Sequence, residues 1–138
     1  MNKDFEIIDH TADVGIRAYG ADLKDAFVNA ARGLFSLITE LDSVDEILQR
    51  NIEVDAPDEE ILLVAWLNEL IYLFDVENVL FKRFEINKLS DTHLEATAFG
   101  EKVDKTKHEL KIGVKAATYH MTKIVKDDGY RVEVLLDI

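Results

Sequence analysis

The sequence has 138 residues, 48% of them hydrophobic and none of them cysteine, a length and content that fit one compact domain and exclude disulfides, thiolate metal sites and cysteine catalysis. Sixteen Lys and Arg against 28 Asp and Glu give a formal net charge of -12, which argues against direct, stable nucleic-acid binding and suits a cation or a basic protein partner, or serves solubility alone. Apolar runs fall far short of the roughly 20 residues of a membrane-spanning helix, and MNKDFEIIDH at the start has no apolar block behind its charges, so a soluble, cytoplasmic protein away from the membrane is expected.

No repeat or Gly/Ser-rich linker breaks the chain, and its one proline is Pro57. Phe5 and Ile7, then Val14, Ile16 and Ala18, alternate with other residues and predict two short strands around a polar segment at 9–13. Gly20 and Asp22 punctuate the chain, Asp22 as a helix N-cap. Leu23, Ala26, Phe27, Ala30, Leu34, Leu37 and Ile38 follow at helical spacing and form an amphipathic stripe. A modest strand is expected at 52–54.

Pro57 and Asp58 read as the start of a second helix, with Glu59 and Glu60 adding negative charge at the positive end of its dipole. From 61 to 74 that helix is apolar over most of its circumference, apart from Asn68 and Glu69, so it should be central and covered on more than one side. Alternation at 81–86 and 94–99 around a turn at 88–92 predicts a hairpin, and 104–108 reads as a charged loop. The segment 114–125 is strand-like in its second half. Asp127-Asp128-Gly129 supplies a hairpin turn before a last strand marked by Tyr130, Val132, Val134 and Leu136. The expectation is an α+β fold: one domain over 1–138, a mostly antiparallel sheet, and two main helices packed on it.

Four segments carry groups capable of chemistry. Asp9-His10-Thr11-Ala12-Asp13 offers two carboxylates in a tight loop, the oxygen donors that hard cations prefer, although such residues ordinarily bond their own backbone. Leu135-Leu136-Asp137-Ile138 closes an alternating run, so Asp137 and the terminal carboxylate should be held rather than frayed. Lys115-Ala116-Ala117-Thr118-Tyr119-His120 projects a cation suited to phosphate or carboxylate, or is an ordinary strand with an exposed lysine. Asn68, Glu69 and Asp75 on the second helix either pair with neighbouring backbone or face solvent. Phosphate-loop, dinucleotide, zinc-helix and serine-elbow motifs are absent from the sequence.

Asp9-His10-Thr11-Ala12-Asp13-Val14-Gly15, the LNELIYLFD segment at 67–75, Val114-Lys115-Ala116-Ala117-Thr118-Tyr119-His120 and the terminal Leu136-Asp137-Ile138 together resemble the archease family, in order and at similar spacing. The resemblance implies a protein cofactor, not an enzyme: an activator of an RtcB-type RNA ligase in tRNA splicing. It would promote guanylylation of the ligase's active-site histidine and multiple turnover. It also implies a divalent cation, usually described with calcium, with Asp13, Asp137 and Ile138 as ligands. Lys115 matches the family's functional lysine, and Asp9, His10 and His120 lie in the same motifs. The alternatives are a chaperone-like protein-binding module and a metal-dependent hydrolase built on Asp13 and Asp137.

Overall fold

Two antiparallel sheets enclose two helices in the computed structural model of the chain, which describes residues 3–9 and 13–138. The elements run β1 (Phe5–Asp9), β2 (Asp13–Gly20), α1 (Leu23–Ile38), a short 3-10 turn (Leu41–Ser43), β3 (Leu48–Asp55), α2 (Glu59–Glu77), β4 (Val79–Leu89), β5 (His93–Lys102), β6 (Ala116–Lys126) and β7 (Tyr130–Asp137). One sheet has the order β1-β2-β7-β6 and the other β3-β5-β4. The antiparallel α+β domain expected from the sequence is present, divided into two sheets with the helices between them. Among the described residues no helix is long and apolar enough to cross a membrane.

Both helices begin where the sequence placed their caps. The Asp22 carboxylate accepts from the Asp25 N–H at 2.8 Å and Asp58 from the Ile61 N–H at 2.9 Å, each satisfying a donor that the first turn leaves without a helical partner. The second helix ends on Asn78 in the left-handed region, φ 56°, a conformation Asn tolerates. Helix α1 packs on β2 of the first sheet and β4 of the second, whereas α2 packs on β6 and β3. Sheet on two sides leaves α2 no wide polar face, which is why it is apolar nearly all round.

The helices meet where the Trp66 indole N–H donates to the Phe27 carbonyl at 3.0 Å. Around that contact Phe35, Phe81, Phe84 and Trp66 stack edge-on or tilted, with centroids 5.7 to 6.3 Å apart. Burying each such side chain contributes about 1.5–3 kcal/mol. Gly33 lets α1 approach its sheet, since a Cβ there would stand 2.9 Å from Ile16 Cγ2.

Strand β6 differs most from the expectation. It starts at Ala116, so the first half of the segment is strand as well, and the alternation breaks inside it. Thr118 pairs with Leu135 and Lys123 with Glu133, so residues 119–122 stand opposite Val134 alone. The bulge includes Met121 at φ 62°, a conformation that costs a residue with a Cβ about 1–3 kcal/mol. Tyr119, His120 and Met121 are exposed there, while the Thr122 hydroxyl donates to the Thr118 carbonyl at 3.0 Å and closes the bulge on itself. The other irregularity of pattern, Asn68 on α2, also resolves onto β6. Its amide accepts from the Ala117 N–H at 2.7 Å and donates to the Ala117 carbonyl at 3.1 Å. A helix side chain thereby fills the hydrogen-bonding place of a missing strand and blunts the sheet edge.

Asn68→Ala should lower unfolding free energy by about 1–3 kcal/mol, because two backbone groups lose their partners. Asn68→Leu should recover little despite its better match to the apolar helix. Urea denaturation of both variants checks this, and a fully stable Leu variant would show that the two bonds contribute nothing.

Candidate functional site at one end of the first sheet

Antiparallel order brings distant segments to a common end. Asp9 finishes β1, Asp13 opens β2, Asp137 finishes β7, and Lys115 immediately precedes β6. In register, Asp13 stands opposite Asp137, and Asp137 stands opposite Ala116 on its other side. The Lys115 N–H donates to the Asp137 carbonyl at 2.8 Å, which fixes the backbone bearing the lysine against the strand bearing the carboxylate. Val14 and Leu136, the next opposed pair, are buried, so alternation turns Asp13 and Asp137 to the outward face. Opposed Cα atoms lie about 4.5–5.5 Å apart, close enough for two carboxylates to share one ion.

Of the residues singled out from the sequence, Asp13, Asp137, Ile138 and Lys115 come together. Asp9 lies at the same end on the outer strand, paired across to Val14. His120 is not brought to the pair: it sits out on the β6 bulge, exposed, on the order of 10 Å along the strand from Ala116. His10, with Thr11 and Ala12, lies outside the described residues.

The path that delivers Lys115 is itself anchored. After β5 the chain crosses beneath the end of α1, where the Lys111 and Ile112 N–H groups donate to the Ile38 and Leu37 carbonyls at 2.8 and 3.2 Å. These carbonyls have no partner within the helix, so the crossing serves as its C-terminal cap. The buried Thr39 hydroxyl adds a bond to the Glu109 carbonyl at 2.8 Å. The charged loop read at 104–108 is a loop, but its last residue, His108, is buried.

There the Asp104 N–H donates to His108 Nδ1 at 2.9 Å, so Nε2 carries the proton and donates to Glu101 at 3.0 Å. The same Glu101 oxygen accepts from Lys107 and from the Asp45 N–H, both at 2.7 Å. Burial alone would raise the Glu101 pKa. The bonds from Lys107, Asp45 and His108 outweigh it and hold the carboxyl at about 2.

A second group of chemically able residues escaped the sequence reading. Glu53, His93 and Glu95 are, among the described residues, the one set of three His or carboxylate side chains whose ligand atoms lie within 4.8 Å of one another. They occupy the outward face of the second sheet. Glu95 and Asp55 hold the His93 imidazole above its usual pKa through hydrogen bonds, and His93 in turn lowers Glu95. The signal lay in two strands whose pairing is not local, so spacing along the chain could not reveal it.

Residues 5–138 match the Archease protein family (MTH1598/TM1083). The chain belongs to the archease family. Protein archease of Methanothermobacter thermautotrophicus is 40% identical over 140 residues, 99% of each chain. That of Sulfurisphaera tokodaii is 42% identical over 129 residues, 93% of each. The solution structure of Methanobacterium thermoautotrophicum protein 1598 has a TM-score of 0.83 at 40% identity, covering 98% of this chain and 99% of that one. The crystal structure of an archease, possible chaperone, from Thermotoga maritima has a TM-score of 0.67 at 20% identity, covering 100% and 98%, and shares the fold.

For this archease the Glu101 cluster has a testable pH signature. A carboxyl depressed from 4.5 to about 2 contributes stability that is present above pH 4.5 and lost as pH falls toward 2. Urea midpoints should fall over that window in the wild type, with a shallower slope in Glu101→Gln, which should also be less stable at pH 7. Identical slopes would show that Glu101 does not carry the effect.

Proposed function

We propose that this archease is a cytoplasmic activator of an RtcB-type tRNA-splicing RNA ligase, a protein cofactor rather than an enzyme, and that it acts through a divalent cation held at Asp13 and Asp137. The observation that carries the reading is the register of β2 on β7, which opposes those two carboxylates while Lys115 is bonded to Asp137 through its backbone. The donors suit the ion. Two outward carboxylates, with oxygen from Ile138, make an all-oxygen set of the kind calcium takes and softer metals do not require. Bound there, the ion supplies positive charge at an acidic sheet end. The chain's own residues gather it and hold it in place.

Lys115 then presents a second, organic cation beside the site, able to meet a phosphate or carboxylate of the ligase as that enzyme is guanylylated on its histidine. Asp9 at the neighbouring strand end, with His10 and His120 from the same motifs, would shape the contact. A net charge of -12 steers the protein toward a basic RNA-handling partner and away from naked RNA.

A chaperone-like role is the second reading. It is favoured by the exposed apolar residues Tyr72 and Val76 on α2 and Tyr119 and Met121 on the bulge, and by the words "possible chaperone" attached to the Thermotoga maritima relative.

The test is multiple-turnover RNA ligation by the cognate ligase with catalytic amounts of this protein. Wild type should raise turnover, whereas Asp13→Asn, Asp137→Asn and Lys115→Ala, each folded by circular dichroism, should each lose at least about tenfold of the stimulation, the scale on which loss of a key contact is felt. Full stimulation by both aspartate variants would overturn the cation site. Suppression of aggregation of unrelated clients, without effect on the ligase, would favour the chaperone reading.

A further inference from the structure

The outward face of the second sheet, opposite in the molecule's layering to the aspartate pair, gathers four side chains from two strands. In the β3–β5 register Glu53 stands opposite Glu95 and Asp55 opposite His93. Leu94 between them and the flanking Ile52 and Ala96 are buried, with Val54 partly so, and alternation directs all four to the same outward face. His93 Nε2 lies 2.8 Å from Glu95 Oε2 and 3.4 Å from Glu53 Oε2. Its other nitrogen, Nδ1, lies 2.6 Å from Asp55 Oδ1.

An ion pair with a protonated imidazole accounts for part of this and leaves part over. Nε2 carries at most one proton, yet two carboxylates face it, so one N–H cannot serve both well. Glu53 and Glu95 are like charges at directly opposed positions, an arrangement that destabilises a sheet. The nearest lysine, Lys88, is 3.9 Å from Glu95.

A divalent ion removes both difficulties, because it bonds the two carboxylates and Nε2 at once. With bonds of about 2.0–2.2 Å, tetrahedral ligands stand roughly 3.3–3.6 Å apart, and the two separations from Nε2 need little adjustment to reach that. Asp55 supplies the remaining part. Accepting from Nδ1–H, it leaves the Nε2 lone pair for the metal and fixes the ring, as the outer carboxylate of a carboxylate–histidine–metal relay does. Glu53 and Glu95 also line a cavity of about 340 Å³, with Asn51 and Asn87, on the side of the pair away from His93.

We propose that Glu53, His93 and Glu95 form a second metal site, for a borderline divalent ion of the zinc class, with Asp55 as its orienting carboxylate and the fourth position open to solvent. The imidazole separates it in kind from the all-oxygen pair at Asp13 and Asp137, since nitrogen ligands favour zinc-class ions and calcium prefers oxygen. Its rigidity comes from the sheet: the ligands sit on paired strands, and the ion links β3 to β5. The proposal does not depend on the ligase reading.

The experiment titrates the full chain with Zn²⁺ in the absence of ligase, by calorimetry and by long-range ¹H–¹⁵N NMR of the histidine rings, with the other histidines as internal controls. His93 Nε2 should move to the resonance position of a metal-bound nitrogen as zinc is added. His93→Gln and Glu95→Gln should each weaken binding at least about tenfold, and Asp55→Asn by about tenfold, the lower range for loss of an orienting partner. The double variant Asp13→Asn, Asp137→Asn should retain zinc binding here. An unmoved His93 ring at saturating zinc would overturn the site, as would zinc affinity lost in the aspartate double variant and kept in His93→Gln.

Discussion

Pairing of β2 with β7 is the constraint on which the first sheet and its site both depend. It joins a strand near the start of the chain to one at its end, over eight consecutive partners from Asp13↔Asp137 to Gly20↔Tyr130. Closing so long a loop costs conformational entropy that local contacts cannot return. The compensation comes from the faces of the pair: Val14, Ile16 and Ala18 on one strand and Val132, Val134 and Leu136 on the other are buried, toward α1. A slip of one residue would turn that whole set to solvent. The register that buries the core therefore also opposes the two aspartates, so the site's geometry follows from packing.

The helices are held by the opposite logic. Strands of the first sheet bury one face, but α2 must satisfy a sheet on each side, and it does so with Leu62, Leu63, Trp66, Leu67, Leu70 and Ile71 distributed around it. Its one polar residue on a covered side, Asn68, is kept because it completes the backbone of β6 two residues beyond Lys115. The crossing from β5 to β6 shows the same economy. Its N–H groups cap α1, while Glu101, Lys107 and His108 fix its beginning.

Local chemistry was legible in the sequence wherever one short segment decided the outcome. Asp22 and Asp58 cap their helices, Asp128-Gly129 turns with both residues at positive φ, and alternation marked most of the strands. The four motif segments identified the family; three of them lie at strand ends of the first sheet and the fourth lies within α2. What the sequence did not disclose depends on partners far away in the chain. The apolar girth of α2 indicated cover on several sides, but not that the cover was two separate sheets. Asn68 was visible as an exception, without Ala117 to explain it. His108 looked like part of a charged loop because Glu101, which buries it, belongs to a strand. Glu53, Asp55, His93 and Glu95 carry no signal along the chain, because only the pairing of β3 with β5 brings them together.

The bulge divides the pairing of β6 with β7 into two separate ladders. Four residues of one strand oppose one of the other, between two stretches of regular pairing: Ala116 to Thr118 beside Lys115, and Lys123 to Lys126 beside the last hairpin. The two ladders are aligned independently of what lies between them. The loop of Tyr119, His120 and Met121 is thus free to change its conformation while the pairing that holds Lys115 against the aspartate pair stays in place.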